Sequence, residues 1–167
     1  MKIAVSSPSF SLIEFEKIFE EIVQHFNAWE IVAEGRHYLW DIKHKYQSLL
    51  PSYDLKILIH APLSDINIGS LNPVMRRTAL KQIAETIKLA SELNIELVTI
   101  HPGHYSPLGV LAKDKVKILS KDSIKLIGAL GKEHSVEIAV ENMPKQDFTF
   151  CCTLQELLEQ TDNNSNA

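Results

Sequence analysis

Three residues of this chain, His60, His101 and Glu141, stand in the same local setting. Each closes a short apolar run and is followed within three residues by a turn-forming proline: Leu55-Lys-Ile-Leu-Ile-His60-Ala-Pro62, Leu97-Val-Thr-Ile-His101-Pro-Gly103 and Val136-Glu-Ile-Ala-Val-Glu141-Asn-Met-Pro144. Short β-branched runs that stop at Pro or Gly read as strands, so a potential ligand stands where each strand ends. If these strands are parallel neighbours, the three side chains emerge at one edge of a sheet, about 5 Å apart per strand. Two imidazoles and a carboxylate at that spacing suit a divalent ion, with Zn²⁺ or Mn²⁺ favoured and Mg²⁺ a further candidate.

The elements that must position them follow from hydrophobic period. Ile3 to Ser7 reads as a first strand, and Ser11-Leu-Ile-Glu14 as a capping box opening a helix with an apolar stripe of Leu12, Phe15, Phe19, Ile22 and Phe26. Trp29 to Gly35 is a second strand with Glu34 at its end, and Tyr38 to Leu50 a helix of mixed register closed by Pro51. After the third strand, Ala61 to Leu71 forms an irregular loop with Asp65, Asn67 and Gly69 as turn residues. Asn72-Pro73 then supplies an N-cap and a first-turn proline for a long helix, Val74 to Leu93. Arg76 and Arg77 in its first turn oppose the helix dipole, so they read as solvated, held by an acidic partner, or open to an anion. A fourth strand and a helix from Lys113 to Gly131 follow, the latter with Val116, Ile118, Leu119, Ile124, Ile127 and Leu130 inward and its lysines in water. The fifth strand ends in Glu141-Asn142, and Thr153-Leu-Gln-Glu156 opens a last helix before a polar tail, residues 161–167.

Five strands strictly alternating with helices imply a parallel α/β sheet with right-handed crossovers. Two architectures fit: an incomplete (β/α) barrel of the TIM type, with about five of its eight units, and an open five-stranded doubly wound sheet. Residues 1–160 read as a single domain. The chain is 45% hydrophobic and 23% charged over 167 residues, with a net charge of −4, so no global field draws it toward nucleic acid or an anionic membrane. No apolar run approaches a membrane span, and the expected address is cytoplasmic. Cys151 and Cys152 are adjacent and read as buried apolar residues rather than a bridge. His25, His37, His44 and His134 read as surface residues, whereas His104 lies close enough behind His101 to reach the site. Neither a phosphate-cradling Gly-rich loop nor a dinucleotide fingerprint is present.

His60-Ala-Pro62 with Asp65-Ile-Asn67-Ile-Gly-Ser70, His101-Pro-Gly103 and Val140-Glu-Asn142 together resemble the xylose-isomerase-like TIM-barrel superfamily. That superfamily holds sugar and sugar-phosphate isomerases and epimerases and the endonuclease IV (AP endonuclease family 2) DNA repair enzymes. The resemblance implies a divalent metal held by His60, His101 and Glu141, as the endonuclease branch gathers it, or by Glu141 with the histidines more often on substrate hydroxyls, as in the isomerase branch, with Glu141 and His101 in catalytic roles. It places Glu34 and Asn142 at the substrate pocket, and Asn67 and His104 join them as candidate substrate contacts. The implied activity is a proton or hydride shift on a small sugar or sugar phosphate at a metal-polarised carbonyl. Zinc-dependent hydrolysis at abasic DNA, and a non-catalytic fragment or sugar-binding module, are the alternatives. The resemblance covers only the first five units, and Met143-Pro144 stands where endonuclease IV continues differently. The remaining ligands, on strands six to eight of the family, would come from further chain or from a second chain completing the barrel.

Overall fold

Alternation within the apolar runs builds one parallel sheet from β1 (Ala28–Val32), β2 (Lys56–His60), β3 (Leu97–Ile100) and β4 (Glu137–Val140), in the order β1-β2-β3-β4. This is a computed structural model, and it describes residues 3–161. Trp29, Ile31, Ile57, Ile59, Val98, Ile100 and Ile138 are buried, while Glu30, Leu58, Thr99 and Ala139 between them are only half-buried. The buried set joins one core with apolar residues of α1 (Phe15–His25), α2 (Leu39–Leu49), α3 (Pro73–Glu92) and α5 (Lys113–Glu133). Because the strand order never reverses, right-handed crossovers place these helices on the same side, the winding of a barrel segment. The short α4 (Pro107–Val110) precedes α5, and α6 (Leu154–Thr161) packs on it. No helix among the described residues is long and apolar enough to cross a membrane.

The expected first strand is reduced to a single parallel bridge, Val5 to Trp29. The Val5 N–H donates to the Ala28 carbonyl (3.1 Å) and Glu30 N–H to the Val5 carbonyl (2.9 Å). Ser7 and Pro8 end the pairing at once, because Ser7 caps a 3₁₀ turn over Pro8–Leu12. That turn also overrides the first capping box. The Ser11 hydroxyl donates back to the Pro8 carbonyl (2.7 Å), Glu14 makes no side-chain cap, and Leu12 is 76% exposed instead of lying on the stripe.

Later signals hold better. Asn72 caps α3 by accepting from Val74 N–H and Met75 N–H, with Pro73 in the first turn. Thr153 Oγ1 accepts from Glu156 N–H at 3.2 Å, and the Glu156 carboxylate reaches back to Cys152 N–H, one residue before the expected partner. Ile118 does not face inward on α5; it is 61% exposed, and the buried stripe is Val116, Ser120, Ser123, Ile124 and Ile127. Among the described residues no carboxylate holds Arg76; its Nε donates to the Ser123 hydroxyl at 3.0 Å. His37 is not at the surface. It is 1% exposed, edge-on to Phe15 and Trp29, with Nε2 unpaired. Cys151 is fully buried, and burial pushes its thiol up to about 12. The polar tail lies outside the described residues beyond Thr161, which itself ends α6.

Candidate metal centre

The three strand-end residues do not sit in identical register. His60 is the last residue of β2 and aligns with Thr99, whereas Ile100 aligns with Val140, so His101 and Glu141 lie just beyond the paired residues of β3 and β4. The ladder continues past the strands: Ala61 N–H donates to the Thr99 carbonyl (2.8 Å) and Glu141 N–H to the Ile100 carbonyl (3.0 Å). Stagger between tilted parallel strands offsets the difference and brings the side chains together.

The His60 and His101 Nε2 atoms both contact Glu141 Oε2, at 3.0 and 2.9 Å. The two rings are perpendicular, 4.9 Å apart between centroids, and the three ligand atoms lie within 4.8 Å of one another. His60 is buried, His101 partly so, and Glu141 stays open to solvent. His60 Nδ1 lies 2.7 Å from the Ala61 carbonyl. A carbonyl only accepts, so Nδ1 carries the proton and Nε2 of a neutral His60 presents a lone pair to a carboxylate. That contact demands a positive charge, either a second proton on the ring or a cation between the groups.

A divalent ion fits this donor set. Metal-bound histidines commonly donate their other N–H to a backbone carbonyl, as His60 does. Ligands of a tetrahedral Zn²⁺ at about 2.0–2.1 Å lie about 3.3 Å apart, slightly wider than the two contacts here. Three protein ligands also leave a coordination position open, as catalytic sites require.

The same contacts shape the electrostatics of the three groups. Hydrogen bonds from His101 and then His60 hold the Glu141 carboxyl far below the usual carboxylate range despite partial burial. Burial opposes a charge on His60, but the Glu141 contact, the Ala61 carbonyl and the charges of Glu30 and Glu141 outweigh it and raise its pKa. His104 is shifted down, by burial first and by His101 second.

The other expected residues are distributed around this cluster. His101 and His104 line an open cleft of about 460 Å³ with Leu63, Ser64, Met143 and Phe148. Asn142 is exposed, next to Glu141. Asn67 spends its amide on backbone: Nδ2 donates to the His104 carbonyl (2.9 Å), and Oδ1 accepts from Gly69 N–H (3.0 Å) and His104 N–H (3.2 Å). Glu34 lines a neighbouring cleft of about 600 Å³, and its carboxylate accepts from Leu63 N–H, Ser64 N–H and the Ser64 hydroxyl. Burial works to raise the Glu34 carboxyl, and these bonds together bring it below the usual range.

Sequence reading missed the groups that hold the loops. Ser120 donates to the Pro102 carbonyl (2.6 Å) and Ser123 to the Ile68 carbonyl (2.7 Å), so α5 grips the loop after β3 and the loop after β2. Their spacing on the Val116–Ile124–Ile127 stripe was the available signal. Glu30, which accepts from the Thr99 hydroxyl at 2.6 Å, was marked by falling between the buried Trp29 and Ile31.

Comparison with known proteins agrees with this architecture. The family model described as xylose isomerase-like TIM barrel matches residues 19–166. The uncharacterized protein MJ1311 of Methanocaldococcus jannaschii is 34% identical over 161 residues, 95% of this chain and 55% of that protein. A D-tagatose 3-epimerase-like protein superposes with a TM-score of 0.87 at 31% identity, over 98% of this chain and 61% of that one. An IOLI protein with a binding zinc atom shares the fold at 14% identity, with a TM-score of 0.75 over 97% of this chain and 58% of its own. The chain thus spans little more than half the length of these relatives, and it belongs to the xylose isomerase-like TIM barrel family.

Proposed function

We propose that this chain carries the metal-binding half of a divalent-metal-dependent sugar or sugar-phosphate epimerase or isomerase. The observation that carries the reading is the convergence of His60 Nε2 and His101 Nε2 on Glu141 Oε2, with His60 Nδ1 anchored on a carbonyl. A bound Zn²⁺, Mn²⁺ or Mg²⁺ would polarise a substrate carbonyl and its neighbouring hydroxyl, lowering the barrier to proton or hydride movement. His60, His101 and Glu141 hold that ion. Glu141 is the open, charged member, with one oxygen committed to both histidines. His104 faces the adjoining cleft with a ring that bonds to no described residue, so it hydrogen-bonds a sugar hydroxyl there. Asn142, exposed and next to Glu141 in the chain, is assigned a substrate contact. Asn67 acts at one remove, fixing the His104 backbone. The general base is assigned to the part of the barrel that relatives possess and this chain does not span, supplied by further chain or by a second chain. The 31% identical D-tagatose 3-epimerase-like protein favours sugar over abasic DNA, for which the same donor set would also be suitable.

Zn²⁺ and Mn²⁺ uptake by the chain and by its His101→Ala variant, followed by incubation with ketohexoses in D₂O, tests the reading. The parent is expected to take up about one ion and the variant to lose it, and deuterium enters beside the sugar carbonyl once the remaining strands are supplied. A parent that takes up no ion ends the metal reading. Metal uptake with cleavage of abasic DNA and no sugar exchange would replace it with the hydrolase.

A further inference from the structure

The two ends of the turn that follows His60 are tied to different strands. Ala61 N–H is fixed on the Thr99 carbonyl of β3. At the other end, Leu63 N–H and Ser64 N–H both donate to Glu34 Oε1, and the Ser64 hydroxyl donates to Glu34 Oε2 at 2.6 Å. Between these anchors lies the Ala61 carbonyl, the group that receives His60 Nδ1–H and sets which nitrogen faces Glu141.

Glu34 is itself well fixed. It follows β1 in an extended conformation, and Ala33 N–H before it donates to the His60 carbonyl at 2.9 Å. Gly35 after it turns the chain at φ +54°, where a side chain would meet the Ser11 carbonyl at 2.7 Å. The carboxylate therefore has little freedom to leave the turn.

We infer that Glu34 is a positioning residue for the metal centre, acting through the Ala61–Ser64 turn on the ring of His60. The inference rests on the metal reading of the triad and deepens it. Glu34 stands one strand away from any ligand and needs no contact with the ion. Its chemistry is specific: two adjacent N–H groups and a hydroxyl converge on one side chain, and a carboxylate meets all of them as an acceptor that carries no donor of its own. Glutamine can keep all of these contacts, with its Oε1 on the two N–H groups and its NH₂ on the Ser64 hydroxyl turned acceptor. Glu34→Ala is thus the change that removes the strap, and Ser64→Ala removes one bond of it.

The test uses the full chain, with Zn²⁺ affinity measured by chelator competition and amide exchange of Leu63 and Ser64 followed by NMR. Loss of outer-shell partners of metal-bound histidines typically weakens binding about 10- to 100-fold. Glu34→Ala is expected to weaken Zn²⁺ binding about tenfold and to speed exchange at both amides, with Ser64→Ala shifting both in the same direction by less. Ile22→Val, a remote core change, controls for loosening of the fold and should leave Zn²⁺ affinity as in the parent. If Glu34→Ala folds and still binds Zn²⁺ as the parent does, whether or not Leu63 and Ser64 exchange faster, the positioning role is wrong while the metal reading stands. If Glu34→Ala does not fold, Ser64→Ala decides by the same two measurements. A parent that binds no Zn²⁺ removes the metal reading, and this inference with it.

Discussion

Replacing Gly103 by alanine strikes the joint between the two loops that frame the metal centre. Gly103 lies at φ +98°, and a Cβ there would stand 2.8 Å from Asn67 Oδ1 and 3.0 Å from Gly69 N. The backbone conformation alone costs a non-glycine residue roughly 1–2 kcal/mol. Asn67 cannot simply swing away, because its amide holds His104 N–H, the His104 carbonyl and Gly69 N–H. Weakening these bonds adds about 1–2 kcal/mol, at roughly 1 kcal/mol for each bond that fails. The expected loss is about 3 kcal/mol, which for a chain of this size lowers Tm by about 6–12 °C. Urea titration and thermal melts followed by far-ultraviolet circular dichroism read it directly. A double-mutant cycle with Asn67→Ala isolates the cause. Once Asn67 is cut back, the nearer clash partner is gone and only Gly69 N remains, so the two losses should fall short of additivity by about 1 kcal/mol or more. A Gly103→Ala loss below about 1 kcal/mol, or additivity within about 0.5 kcal/mol, would refute the loop joint as drawn.

Three further outcomes are expected. Ser123→Ala leaves the Ile68 carbonyl and Arg76 Nε without their partner, so it should cost about 1–3 kcal/mol in urea titration; a loss under about 0.5 kcal/mol would mean the loop is held elsewhere. His37 has its pKa lowered by burial against its Ile13 backbone bond, so its neutral form stabilises the fold fully above about pH 6.5, and that stability is lost as pH falls through the lowered folded value. His37→Phe should flatten the melting-temperature profile below about pH 6.5, and an unchanged slope would clear His37 of the effect. Protons and Zn²⁺ compete for His60, whose pKa is raised, so affinity should fall about tenfold per pH unit below that raised value; calorimetry showing equal affinity at about pH 8 and pH 6 would contradict this.

The strand-and-helix alternation was legible because burial on one face writes itself into residue type. Trp29, Ile31, Ile57, Ile59, Val98, Ile100 and Ile138 are the residues a parallel sheet needs under a layer of helices. Boundaries failed where two local devices compete for the same residues. Ser7 and Ser11 both favour caps, and the Pro8 ring decides between them by starting a 3₁₀ turn, which also cuts the first strand to one bridge. His37 escaped notice for a different reason. Its burial depends on the aromatic walls of Phe15 and Trp29, which come from two other elements and leave no mark in the sequence around it.

The candidate ligands were legible and the groups that hold them were not. A ligand at a strand end is announced by its own neighbours, since the apolar run and the following turn together state where the side chain emerges. A positioning role is announced only by its partner. Glu34 stood out as a strand-end residue, but its bonds from residues 63 and 64 did not, and Ser120 on Pro102 and Ser123 on Ile68 likewise span separations that carry no local period. The physics separates the two kinds as well. His60, His101 and Glu141 meet in contacts that need added positive charge, either a second proton on a ring or a cation between the groups, so they can exchange one for the other. The loop-holding groups have their hydrogen bonds satisfied within the fold and look to nothing else. A cluster whose contacts take either a proton or a cation, with one member open to solvent, is an arrangement that suits a cation site, where binding the ion releases the proton.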